Sequence, residues 1–205
     1  MTDYILYGHP DSGHSYKVKL ALTVLGVSHD YRHVDVFAPR DQRRADWRAV
    51  SRFGEIPVLV VDGEAIVQSD AILLHLARTH DALGWDVDPD RLTEWMFWEA
   101  NRIGISLPNL RLYRHLEPGS GAPDLVAWLE ARLDGDLGRL EVELAARPFL
   151  MGAAVSAADL ACCGYLFFAD QIGLDLGRWP AVSAWLGRIR ALPGWAHPYA
   201  LLKAS

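Results

Sequence analysis

The sequence predicts an α/β domain with a mixed four-stranded sheet, followed by an all-α domain. Over residues 1–80, short apolar runs alternate with amphipathic stretches, and an Asp-Gly turn separates the last two runs. Beyond residue 90 the apolar residues recur at helical spacing, with no convincing strand. We therefore expect residues 1–80 to form the α/β domain, residues 81–90 an aspartate-rich linker, and residues 91–205 the helical domain.

The α/β domain is expected to begin with a buried strand, because Tyr4 to Tyr7 is an apolar run bounded by glycine and proline. A right-handed crossover makes the first two strands parallel, whereas the Asp62-Gly63 turn joins the last two as an antiparallel hairpin. The predicted elements are, in order, a strand at 4–7, a helix at 16–25, a strand at 29–36, a helix at 45–50, strands at 57–61 and 65–67, and a helix at 69–79.

The helical domain contains two local signals besides its periodicity. Pro108 lies inside the first predicted helix and should kink or end it, because proline lacks an N–H and clashes with the preceding turn. Ser156 and Asp159 have the spacing of a capping box, with Ser156 as N-cap and Asp159 reaching back. The helices are predicted at 91–113, 124–146, 157–172 and 181–192.

Composition and charge exclude several classes of protein. A formal charge of −6 argues against nucleic acid as a main partner, because phosphate binding needs a concentrated basic face. There is no secretory signal, since the first residues turn polar before an apolar region forms, and no run of about 18 uncharged apolar residues could span a membrane. Cys162 and Cys163 are adjacent and point apart on a helix, so they cannot form a normal bridge. We expect a reduced, cytoplasmic protein without a metal, membrane or nucleic-acid partner.

A segment between the first strand and the first helix could hold an anion. Ser12 and Ser15 fall at or just inside the amino end of that helix, where free backbone N–H groups and the helix dipole favour negative charge. A thiolate held there would have a lowered pKa, and a serine hydroxyl could donate a hydrogen bond to it. The alternative is that one of these serines only caps the helix.

Two later segments could bind an extended peptide. Pro57 opens the third strand directly after Ile56, and a cis bond there would aim the backbone groups of Ile56 outward for pairing with a peptide, although trans is the commoner state. Ser69 is expected to cap the third helix, or to receive a carboxylate together with the free N–H groups. Gln68 and Asp70 offer polar contacts to an α-amino group.

The order and spacing of these motifs carry a resemblance. The segments SGHSYKVKLAL, GEIPVLVVDG and VQSDAILLHLA, followed by a helical half with a Ser-Ala-Ala-Asp capping box, resemble the soluble glutathione S-transferase family over almost the whole chain. The resemblance implies a thioredoxin-like first domain and a bacterial protein of the serine-type kind. It also implies that glutathione is the co-substrate and that a small hydrophobic electrophile is conjugated to its thiol.

The resemblance assigns roles to individual residues. Ser12 takes the position of the catalytic serine, with Ser15 and Tyr7 as the other hydroxyls that could contact the sulfur. The backbone of Ile56, ahead of a cis Pro57, would pair with the cysteinyl part of glutathione. Gln68 and Ser69 would hold the γ-glutamyl part. Candidate basic partners of the glycyl carboxylate are Arg40, Arg52 and Lys17.

The second substrate is expected in a pocket between the domains. The resemblance places Asn101, Arg102, Ile105 and Ser106 in its wall, and it implies a homodimer. Two other classes of function stay open. The first is a glutathione-dependent reductase, peroxidase or maleylacetoacetate-type isomerase, although an isomerase is expected to carry a cysteine beside Ser12. The second is a non-catalytic interaction module.

Overall fold

A computed structural model of the chain describes residues 2–203, which form two units. The first unit combines residues 2–82 with residues 192–203, and the second contains residues 83–191. Within the first unit, a mixed sheet has the strand order β2-β1-β3-β4, with β1 and β2 parallel and the other pairs antiparallel. Its strands are β1 (Tyr4–Gly8), β2 (Asp30–His33), β3 (Val58–Val61) and β4 (Glu64–Val67). The predicted fold class is therefore confirmed.

Helices cover the sheet of the first unit. Leu6 and Leu59 are fully buried, as are apolar residues of the two longer helices such as Leu22 and Leu73. The indole of Trp47, also fully buried, packs in a second cluster with Tyr7 and the valines of β3 and β4. The helices are α1 (Gly13–Val24), α2 (Ala45–Val50), α3 (Ser69–Thr79) and, from the end of the chain, α9 (Pro198–Leu201).

Two boundaries in this unit differ from the sequence prediction for local reasons. Helix α1 begins at Gly13 instead of Tyr16, because the Ser12 side chain accepts a hydrogen bond from the Ser15 N–H and caps it. Strand β2 ends at His33, short of the predicted residue 36. The Asp35 carboxylate accepts hydrogen bonds from the next backbone N–H groups and turns the chain.

The second unit is helical throughout its regular elements. The predicted helix 91–113 is broken at Arg102, whose φ of −118° and ψ of −94° are non-helical, whereas Pro108 lies within the following helix. The predicted helix 157–172 ends as an α-helix at Cys163 and continues as a 3₁₀ segment, Leu166–Ile172. The helices are α4 (Pro89–Asn101), α5 (Ile103–Arg111), α6 (Pro123–Ala146), α7 (Ala157–Cys163) and α8 (Pro180–Arg190).

The predicted capping box at the start of α7 is confirmed, and it extends beyond the helix. The Ser156 hydroxyl accepts from the Asp159 N–H, and the Asp159 carboxylate accepts from the Ser156 N–H. The same carboxylate also accepts from the Leu150 N–H at 2.9 Å and from the Trp185 indole of α8 at 2.8 Å. Asp159 is fully buried, so one side chain joins three separate segments of this unit.

Candidate functional site

Ser12 stands at the amino end of α1 with its hydroxyl held in place. Its Oγ accepts from the Ser15 N–H at 3.1 Å, and its own N–H donates to the His9 carbonyl at 3.0 Å. A hydroxyl has one proton and two lone pairs, and the cap uses a lone pair. The Ser12 side chain can therefore cap α1 and still donate a hydrogen bond to an anion, so the two interpretations of this serine do not compete.

The other two candidate hydroxyls are committed to the core. Ser15 is fully buried, and its Oγ accepts from the His9 N–H at 3.3 Å. Tyr7 is 3% exposed, and its hydroxyl accepts from Arg32, which also bonds to Asp46. Burial raises the pKa of Tyr7, which disfavours the phenolate. Of the three hydroxyls, that of Ser12 is in the best position to meet a ligand.

The segment before β3 has the backbone that the resemblance implies. The Ile56–Pro57 peptide bond is cis; Pro57 is buried and Ile56 is partly exposed. Just before it, the Glu55 carbonyl accepts from the Ser51 hydroxyl at 2.9 Å, and the Glu55 carboxylate accepts from the Gln68 amide at 2.8 Å. The bond from Gln68 joins the predicted peptide-pairing segment to the start of α3.

The start of α3 differs from the sequence prediction. Ser69 does not cap this helix; it is the first helical residue, and Gln68 occupies the cap position without a side-chain cap bond. Gln68 has φ 71° and ψ 118°. Residues other than glycine rarely adopt this backbone conformation, and where they do it often marks a functional site. The Ser69 hydroxyl lies 3.5 Å from Nδ1 of His14, which brings the amino ends of α1 and α3 together.

A buried ion pair holds the same two helices. Lys17 of α1 is 1% exposed, and its ammonium lies 2.6 Å from the Asp70 carboxylate of α3. This pairing commits Lys17, so it is the weakest of the three candidates for binding the glycyl carboxylate. Desolvation, reinforced by the charge of Lys17, lowers the pKa of His14 to about 3. His14 is therefore neutral at physiological pH and adds no charge to the site.

The two candidate arginines are placed differently. The Arg40 guanidinium lies against the backbone of Gly54, because a Cβ at Gly54 would come within 2.8 Å of Arg40 Cζ. Gly54 has φ +73°, so the local conformation also favours glycine. Arg52 is exposed, with its guanidinium over the Phe53 ring at 5.2 Å. Arg40 is thus the basic group packed against the segment that leads to Ile56.

The residues predicted for the second-substrate pocket all lie in the second unit. Asn101 is exposed at the end of α4, Ile105 is partly exposed and Ser106 is fully buried. Arg102 forms an ion pair with the Asp136 carboxylate of α6 at 2.7 Å. This unit also contains two clefts of about 640 Å³ each, and none of the four predicted residues lines either one. Their assignment to a second-substrate pocket stays a prediction.

Sequence reasoning missed a contact from the end of the chain. The Tyr199 hydroxyl of α9 donates to the Asp11 carboxylate at 2.7 Å, directly before Ser12. The Tyr16 hydroxyl of α1 donates to the Ala196 carbonyl at 3.0 Å and fixes the same C-terminal segment. No local pattern indicates pairs so distant in sequence. The contacts of His14 and Glu55 were missed for the same reason.

Residues 2–203 offer no candidate for a membrane span or a metal site. No helix in this part of the chain is long and apolar enough to cross a membrane. In the same residues, no group of three or more His, Cys, Asp or Glu side chains is placed to hold a metal ion. Cys162 and Cys163 are both buried, and neither is part of a disulfide.

Comparisons with known proteins point to one family. Residues 6–84 match the glutathione S-transferase N-terminal domain, and residues 123–188 match the C-terminal domain. The disulfide-bond oxidoreductase YfcG of Escherichia coli is 30% identical, covering 91% of this chain and 90% of that protein. A probable maleylacetoacetate isomerase of Vibrio cholerae is 28% identical, covering 96% and 95%.

A solved structure agrees with these sequence matches. The glutathione S-transferase of Xanthobacter autotrophicus is 30% identical and superposes with a TM-score of 0.82, covering 95% of this chain and 96% of that one. Matches to both domain profiles, together with relatives at 30% identity over nearly the full length, establish the relationship. The chain belongs to the glutathione S-transferase family.

Proposed function

We propose that this protein is a glutathione transferase in which the Ser12 hydroxyl stabilises the glutathione thiolate for attack on a small hydrophobic electrophile. The observation that carries the proposal is the placement of Ser12. Its hydroxyl caps α1 through a lone pair, and the hydroxyl proton can still be donated to a ligand. The amino end of α1 adds free N–H groups and the positive end of the helix dipole. A free thiol has a pKa near 8.5, and lowering it by about two units makes most of it thiolate at neutral pH.

The proposed binding of glutathione uses three further elements. The backbone of Ile56, at the cis Pro57, pairs with the cysteinyl part as an added strand does. Gln68, Ser69 and the free N–H groups at the start of α3 hold the γ-glutamyl carboxylate. Arg40 binds the glycyl carboxylate, with Arg52 as the alternative.

The proposal also covers the electrophile contacts, the oligomeric state, the cellular location and the reaction. The electrophile contacts the wall predicted from Asn101, Arg102, Ile105 and Ser106, and two subunits form a homodimer. A cytoplasmic location is supported by the absence of a disulfide among the cysteines of residues 2–203, which is the usual state in a reducing compartment. In the reaction, the thiolate attacks an activated carbon of a substrate such as a chloronitrobenzene, a C–S bond forms and chloride leaves.

Ser12→Ala tests the role of the serine. Loss of one charge-assisted hydrogen bond costs about 1.5–3 kcal/mol, so kcat should fall roughly ten- to hundredfold. Binding of glutathione should change little, because the other contacts remain. Ser15→Ala and Tyr7→Phe are the controls, and both should keep a lowered thiol pKa in a spectroscopic titration of bound glutathione. The assignment of Ser12 fails if Ser12→Ala keeps full activity and the thiol pKa of the wild type, while one of the controls loses its activity and its lowered thiol pKa.

A second experiment separates the transferase from the other classes. The wild-type protein is passed over immobilised glutathione and then assayed with a chloronitrobenzene, a glutathione mixed disulfide and maleylacetoacetate. Transfer to the chloronitrobenzene supports the proposal. Disulfide reduction or isomerisation without transfer assigns the protein to the class of its oxidoreductase or isomerase relatives. Retention on glutathione without any turnover indicates a non-catalytic module.

A further inference from the structure

The C-terminal segment reaches the loop that carries Ser12. Tyr199 donates its hydroxyl proton to the Asp11 carboxylate at 2.7 Å, and the Asp11 side chain is 22% exposed. The Asp11 N–H donates to Nδ1 of His9 at 3.1 Å, and its second carboxylate oxygen lies 3.7 Å from the same nitrogen. Tyr199 thus holds the Asp11 side chain and His9 holds its backbone N–H, directly before the residue that caps α1.

A carboxylate at this position opposes the function of the site. The amino end of α1 favours an anion, and Asp11 adds a negative charge next to it. By Coulomb's law, a unit negative charge about 7 Å from a thiol, in an effective dielectric of about 40, raises the pKa of that thiol by roughly one unit. A hydrogen bond donated to the carboxylate partly neutralises its negative charge and keeps the side chain in one conformation. Tyr199 supplies such a bond.

We propose that Tyr199 is a positioning residue that fixes and partly neutralises the Asp11 carboxylate, and thereby helps to set the pKa of the glutathione thiol at Ser12. The inference rests on the proposed function. It assigns a role in the reaction to Tyr199 of α9. Tyr199 acts through Asp11 and does not touch the substrate.

Other charged or titratable groups around the loop stay the same in every variant of the test. They come from the loop itself, from β2, α1 and α3, and from the C-terminal segment. They are His9, His33, His14, Lys17, Asp70 and His197. His9 contacts Asp11 and the His197 ring contacts Tyr199, so the comparison in the Asp11→Asn background is what attributes an effect of Tyr199 to the carboxylate.

The test is a titration of the thiol in the glutathione complex of the full-length protein, read as thiolate absorbance and as the pH profile of kcat/KM. Tyr199→Phe should raise the thiol pKa by roughly half a unit, since the bond is lost while the ring remains. Asp11→Asn should lower it by about the same amount or more. In the Asp11→Asn background, Tyr199→Phe should have no further effect. Tyr16→Phe removes the other hydroxyl that anchors this segment and should leave the pKa unchanged.

The outcomes separate the inference from the proposed function. A lowered thiol pKa in the wild type that Tyr199→Phe does not raise overturns the inference alone. An equal shift in the Asp11→Asn background also overturns it, because the effect would then not pass through the carboxylate. A wild-type thiol pKa near 8.5 overturns both proposals. Tyr199 is 40% exposed, so a phenylalanine is tolerated there, and thermal unfolding of each variant verifies this.

Discussion

Asp159 offers a test of how one buried side chain supports the helical unit. Its carboxylate accepts four hydrogen bonds, from the Leu150 N–H, the Ser156 N–H, the Ser156 hydroxyl and the Trp185 indole, at 2.5–2.9 Å. Asp159→Ala leaves these buried donors without an acceptor, each at a cost of about 1–3 kcal/mol. Burial raises the pKa of Asp159, because desolvating the charged carboxylate costs free energy. The alanine variant avoids this cost, which reduces its net loss of stability. We expect the free energy of unfolding to fall by about 4 kcal/mol.

Urea unfolding followed by tryptophan fluorescence measures this loss, because Trp185 is one of the donors. Ser156→Ala is the matched control. It removes one donor and the 3.4 Å cap of Asp159, and should cost about 1 kcal/mol. A loss below about 1.5 kcal/mol for Asp159→Ala, or equal losses for both variants, would refute the reasoning, since the carboxylate would then contribute no more than the cap.

Three further outcomes are expected. Lys17→Met should lower the free energy of unfolding by about 3 kcal/mol, because the Asp70 carboxylate loses the ammonium 2.6 Å away, and adding Asp70→Asn should restore most of it in the same urea assay. The folded chain keeps His14 neutral down to about pH 3, whereas the unfolded chain binds its proton near pH 6.5, so stability falls as the pH drops through this window. His14→Gln should remove this contribution, so the free energy of unfolding should fall less steeply by about 1.4 kcal/mol per pH unit between about pH 6 and pH 4. Arg40→Ala should weaken glutathione binding about tenfold in calorimetry, whereas Arg52→Ala should change it less than about twofold, and the reverse ranking would transfer the glycyl contact to Arg52.

Local patterns predicted most of the secondary structure. Helix α3 has the predicted bounds, 69–79, because its apolar stripe repeats without interruption. The hairpin of β3 and β4 follows from the Asp62-Gly63 turn, whose two residues have φ 49° and 90°, as a tight hairpin requires. In both cases the determining interactions lie within a few residues of each other.

The failures occurred where distant contacts or backbone conformation decide the structure. The helical pattern continues through Arg102, yet the helix breaks there and its guanidinium binds Asp136 of α6. Ser69 has the residue type of a cap, but the positive φ of Gln68 moves it into the helix. In the candidate site, the sequence placed Ser12 at the start of α1 and raised the cis bond at Pro57, and the structure has both, whereas the site roles of these residues stay predictions. The sequence could not rank the three basic residues, because only tertiary packing distinguishes them.

The first unit is built from two stretches of the chain, residues 2–82 and 192–203, and residues 83–191 between them belong to the other unit. During synthesis, residues 2–82 leave the ribosome long before residues 192–203 exist, so the surface of α1 that these residues cover waits for the last part of the chain. A nascent chain from which residues 2–82 have fully emerged should therefore hold a sheet and helices with that side of α1 still open to solvent. The Tyr16 bond to Ala196 can form only after residues 83–191 have been made, which makes the completion of this unit a late event in the synthesis of the chain.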